Sequence, residues 1–178
     1  MAAVTTLPAA FVANTVLTAT QQNDLRGAFR VLQVNSTILT STFTTSSTSY
    51  TDITGLSVSI TPSFTSSKIM VFATINGSQD YGVADDGLQL VRGSTAIAIG
   101  DAAASRVQSS TMFASPFGSQ QSCVNISFLD SPATVAATTY KIQIINGSAG
   151  TSYVNRGKSD TAGHFRTAST ITVMEISA

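Results

Sequence analysis

From Ser36 onward the apolar and polar positions alternate with a period of two. In "GLSVSIT", Leu56, Val58 and Ile60 are interleaved with Ser57 and Ser59, the pattern of a strand with one buried face. "SKIMVFATI" is apolar on both faces and predicts a central strand. In "GLQLVRGSTAIAIG" Gly93-Ser94 separates two apolar runs, as a two-residue hairpin turn would. "CVNISFL", "TYKIQII", "TSYVN" and "STITVMEIS" add four further strands. The pattern predicts an all-β fold, a jelly-roll-like antiparallel sandwich of about eight to ten strands occupying residues 36–178. A weak internal echo supports two facing sheets: "VSITPSFTSSKIMVFATINGS" and "ISFLDSPATVAATTYKIQIINGS" share a strand, a Pro-containing turn, a strand and Ile-Asn-Gly-Ser.

Residues 1–35 follow a different rhythm. In "LTATQQNDLRGAFRVL", Leu17, Leu25, Phe29 and Leu32 fall at helical spacing, and Thr18 with Gln21 has the form of a capping box. The expectation is a short amphipathic helix within an N-terminal anchor segment, preceded by the extended apolar lead "LPAAFVANTV".

Composition settles one ambiguity. "LTSTFTTSSTSYTDITG" is dominated by hydroxyls, which suits either a stalk or a sheet surface. Mucin-like stalks pair Ser and Thr with abundant proline, and this stretch has none. Threonine is β-branched and fits a pleated surface, while Phe43, Tyr50 and Ile53 supply apolar anchors. The segment reads as sheet. Only 10% of the 178 residues are charged, the net charge is zero and 43% are hydrophobic. A surface so poor in charge is weak protection against self-association, so an oligomer is expected. Zero net charge gives no global attraction to nucleic acid or anionic membrane. The first basic residue is Arg26, so a charged leader for export is not expected.

Candidate chemistry is sparse. His164 and Cys123 are the single histidine and the single cysteine, which do not make a triad or a zinc ligand set. Cys123, within an apolar strand, is expected to be an inert small hydrophobe. Asp80, Asp85 and Asp86 in "QDYGVADDG" are weak candidates for a Ca²⁺ site, without the spacing of an EF-hand. No cofactor and no catalytic residue is expected. Two loops, "SQDYGVADDG" and "SYVNRGKSDTAGHFR", could contact a host-surface glycan through Tyr81, Tyr153, Arg156 and His164. Acids cluster between Asp80 and Asp101 and bases between Lys141 and Arg166. Asp85 and Asp86 could therefore meet Arg156 and Lys158 of a neighbouring subunit, or pair within the chain.

"FVANTVLTATQQNDLRGAFRVL", with its L-T-A-x-x-x-N-x-L core, resembles the N-terminal segment of many tail and fibre proteins of tailed bacteriophages. "SSTSYTDITGLSVSITPSFTSSKIMV", "LVRGSTAI", "DSPATVAATTYKIQ" and "STITVMEI" are similar to a β-rich module of phage virion proteins, especially in phages of marine bacteria. The resemblance implies a virion structural protein on the particle surface, assembled in the host cytoplasm. It implies an anchor that includes Leu17, Leu25, Phe29 and Leu32, and a β-module that trimerises. A short tail fibre or tail appendage is the first expectation; a capsid-decoration or head-fibre protein, and a glycan-binding module, are the alternatives. Partners would be further copies of the chain, other virion proteins and host glycan.

Overall fold

The computed structural model describes residues 16, 18, 30–80, 86–113, 120–147 and 150–177. Eleven strands occur among them: β1 (Val31–Leu39), β2 (Phe43–Thr45), β3 (Thr51–Ile60), β4 (Lys68–Gln79), β5 (Asp86–Arg92), β6 (Thr95–Ile97), β7 (Thr111–Phe113), β8 (Ser122–Asp130), β9 (Thr138–Ile145), β10 (Ser152–Val154) and β11 (Ser169–Ile176). They form two antiparallel sheets, one of which curls into a half-barrel. The first sheet orders its strands β1-β11-β4-β10-β2, with β8 on the other flank of β4. The second is β3-β9-β5-β6, with β7 also on β5.

This arrangement corrects the expected jelly-roll-like sandwich of eight to ten strands with a short N-terminal helix. Eleven strands are present, and no helix occurs among the described residues. Leu32, placed on the helix by its spacing, lies on β1, whose ladder with β11 runs from Val31↔Ile176 to Leu39↔Ser169. Pairing with a long partner strand overrides a local periodicity of this kind. The added strands include the three-residue β7, too short for a two-residue period to register. Leu17, Leu25 and Phe29 lie outside the described residues.

Alternation builds the core. Ile69, Val71, Ala73 and Ile75 of β4, Ile171 and Val173 of β11 and Ile126 of β8 point inward from the first sheet. Leu56, Val58 and Ile60 of β3, Leu88 and Leu90 of β5, and Tyr140, Ile142 and Ile144 of β9 meet them from the second. The two echoed segments occupy matching places, since β4 is central in one sheet and β9 in the other. Gly93 sits at φ 60 in the β5–β6 turn, where the first central residue of a type II′ hairpin needs a positive φ.

Two polar clusters at the core pin the fold. Arg92 Nη1 donates to both carboxylate oxygens of Asp130, at 2.8 and 2.9 Å, and the Tyr140 hydroxyl donates to Asp130 Oδ2 at 2.7 Å. Since β8 belongs to one sheet and β5 and β9 to the other, this cluster ties the sheets together. Burial, and then the Asp130 carboxylate beside it, push the Tyr140 hydroxyl well above its ordinary range. Glu175 is fully buried and accepts from Gln33 Nε2 at 2.6 Å, Ser63 N at 2.6 Å, Ser63 Oγ at 3.1 Å and Ser67 Oγ at 2.6 Å. It holds the β3–β4 connection against β11.

Candidate functional site

The chain enters and leaves the domain side by side. Ser177 N donates to the Arg30 carbonyl at 2.9 Å, and Arg30 N donates to Ser177 Oγ at 3.2 Å. Both flank the end of β4 that begins at Lys68, the partner of Ile176. A long loop, residues 155–168 between β10 and β11, springs from beside Asn76. That is eight residues further along β4, roughly 26 Å at about 3.3 Å per residue.

Asn155 forms the base of this loop. Its backbone is left-handed, at φ 62, a conformation that asparagine tolerates better than most residues. Its N–H donates to the Asn76 carbonyl at 2.8 Å, and its carbonyl accepts from Thr167 N at 3.0 Å. The buried side chain donates from Nδ2 to the carbonyls of Leu39, 2.7 Å, and Ser41, 2.9 Å, and accepts from Ser169 Oγ at 2.6 Å. One residue thereby satisfies backbone groups in the gap between β1 and β2 and closes the loop.

Asp160 braces the loop from within. Arg166 donates to it from Nε at 2.9 Å and Nη2 at 2.6 Å, and Arg156 Nη1 lies 3.5 Å from Oδ2. The Arg166 hydrogen bonds hold the Asp160 carboxyl below its ordinary value. The Arg156 guanidinium stacks over the Tyr153 ring, 4.5 Å from its centroid. Lys158 Nζ lies 2.6 Å from Asp80 Oδ1, and that contact raises the Lys158 ammonium above its usual range.

An open groove of about 700 Å³ runs beside the loop, lined by Gln120, Gln121, Gly157, Gly163, His164, Phe165 and Thr167. Gln121 fixes its wall: Nε2 donates to the Phe165 carbonyl at 2.8 Å, and Oε1 accepts from Thr167 Oγ1 at 2.6 Å. Gly163 at φ 94 turns the chain, and Phe165 is 83% exposed at the rim. His164 Nδ1 is 3.2 Å from Thr161 Oγ1. A groove with amide edges, a free aromatic face and fixed hydroxyls can hydrogen-bond and stack on a polar ring or a peptide.

Of the sequence-predicted residues, Tyr153, Arg156 and His164 share this region, and Tyr81 and Asp85 lie outside the described residues. Arg156 and Lys158 are engaged with Asp160 and Asp80 of their own chain. Asp86 is buried at the start of β5. No three His, Cys, Asp or Glu side chains come together among the described residues. Cys123, expected to be an inert small hydrophobe, is exposed on β8, because it falls on the outward side of that strand's alternation. Sequence reasoning passed over Asn155, Asp160, Phe165 and Gln121, whose roles arise from tertiary closure. No protein-family model matches the chain, and a search of curated proteins finds no match.

Proposed function

We propose that the chain is a structural subunit of a multi-copy particle, of the tailed-phage virion type that its sequence resembles. In this reading it is a short tail fibre or tail appendage, held on the particle through its N-terminal segment. The observation that carries the reading is the polarity of the domain. Arg30 and Ser177 meet at one end, while the braced loop and its groove lie far along β4. A module attached at one end and displaying a fixed contact loop toward the other suits a surface appendage. The buried polar groups support the same reading, because Asn155, Glu175 and the Arg92–Asp130–Tyr140 cluster brace connections between strands.

The groove favours a second reading, host-surface binding as part of the same role. Phe165, at the rim of the groove, offers the stacking face that a sugar or peptide would use. Weak individual contacts multiply when many copies share one particle.

Incorporation tests the attachment. Chain lacking residues 1–29 should fold and remain outside assembled particles, while the full chain co-purifies with them. Equal incorporation of both would remove the anchor from the account.

A further inference from the structure

The outer faces of the two sheets are built differently. On the second sheet, Asp52 accepts from Lys141 Nζ at 2.8 Å and from Gln143 Nε2 at 2.7 Å, and Gln143 Oε1 accepts from Gln89 Nε2 at 2.6 Å. This charged and amide ladder runs from the exposed Asp52 of β3 across β9 to the buried Gln89 of β5. The first sheet carries uncharged pairs instead, Ser36 Oγ with Thr172 Oγ1 at 2.8 Å and Thr74 Oγ1 donating to Asn125 Oδ1 at 2.8 Å. Its register aligns Val34, Met174, Met70 and Leu129 in one row across β1, β11, β4 and β8. The next rows are Ser36, Thr172, Phe72 and Ser127, then Ile38, Thr170, Thr74 and Asn125. Val34 and Leu129 are each 51% exposed, Ile38 61% and Phe72 42%. Among the described residues, Lys68 borders these rows on β4, and its Nζ donates to Ser131 Oγ at 2.8 Å.

We infer that this face of the first sheet is the self-association surface, covered by the same face of a second copy of the chain. The inference rests on the multi-copy reading above and names the surface that serves it. A partner bearing charge would bury it here without a counter-charge, which is costly. A second copy brings an equally uncharged row bordered by hydroxyls, so its complementarity is automatic. Four strands at about 4.8 Å and about nine residues at about 3.3 Å give roughly 550 Å² per copy. The pair would bury about 1,100 Å², just above the roughly 1,000 Å² expected of a specific interface.

Light scattering after size exclusion tests this on the full chain and two variants. The double variant Phe72→Lys/Leu129→Lys charges the exposed face, and Ser57→Lys charges an exposed position on the second sheet. The full chain and Ser57→Lys should have at least twice the 18.4 kDa chain mass. The double variant should run as a folded monomer, its association weakened at least about a hundredfold. An oligomeric double variant with unchanged dissociation would overturn the inference while leaving the particle reading intact. A full chain that stays monomeric at millimolar concentration would overturn it too. Particle incorporation then judges the reading separately. Circular dichroism of the double variant separates lost association from lost fold; if it is misfolded, Ile38→Lys supplies the same readout.

Discussion

Thr167 N donates to the Asn155 carbonyl at 3.0 Å, so the chain leaves the sheet and returns to it at one point. Asn155 holds that point through two further carbonyls, those of Leu39 and Ser41. Asn155→Ala removes both donors and places alanine at φ 62. Destabilisation of about 2–4 kcal/mol is expected from the unsatisfied buried acceptors and the left-handed backbone. Asn155→Gly relieves the backbone alone and should recover part of the loss. Urea unfolding of the two variants separates the contributions.

Asp160→Asn releases the clamp between Arg156 and Arg166. These groups are partly exposed, so global stability should change by less than about 1 kcal/mol. The local effect should be larger: amide exchange at residues 157–166 accelerates, while β4 and β11 stay protected. Uniform protection across the loop would show that Asn155 and Gln121 suffice to hold it.

Glu175 makes acid sensitivity predictable. Burial alone would raise its carboxyl, but hydrogen bonds from Ser67, Gln33 and Ser63 outweigh that and hold it below the ordinary 4.5. A carboxyl lowered by folding contributes stability that is fully present above its unfolded value. That stability is lost as pH falls through the folded value. Glu175→Gln should cost about 1–3 kcal/mol at neutral pH. The gap between variant and parent should narrow below about pH 4. A gap that stays constant down to pH 2 would contradict this sign.

Gly77 tolerates no side chain. A Cβ there would lie 2.5 Å from the Tyr153 carbonyl oxygen and 2.6 Å from the Phe113 ring. Gly77→Ala must separate β10 from β4 or displace a fully buried ring, and a loss of about 3 kcal/mol or more is expected. Gly93→Ala, where nothing lies within 4 Å, should cost only the positive-φ penalty of about 1–2 kcal/mol. Thermal melts of the two variants side by side test the contrast.

The strands were legible wherever one face is buried, because Leu56, Val58 and Ile60 or Ile171 and Val173 repeat every second residue. The hydroxyl-rich stretch at 39–55 was also legible as sheet, with Ile53 in the core. The end of the predicted helix was misplaced because Leu32 satisfies a helical spacing by chance, while β11, on which its strand β1 pairs, is far away in sequence. The loop site was half visible. Tyr153, Arg156 and His164 stand close in the sequence, but Asn155 and Gln121 gain their roles from partners at Leu39 and Phe165. Nothing local in the chain encodes such pairings. Opposite charges were visible as two clusters, yet only folding could show that Lys158 meets Asp80 within one subunit.

The central claim is that this chain is a stoichiometric surface subunit of a particle. Quantitative mass spectrometry of purified particles, combined with gold-labelled antibody against the Phe165 loop, tests it most directly. A surface subunit should show a fixed copy number per particle and gold on the outer surface. Chain found only in the soluble fraction, with unlabelled particles, would contradict it.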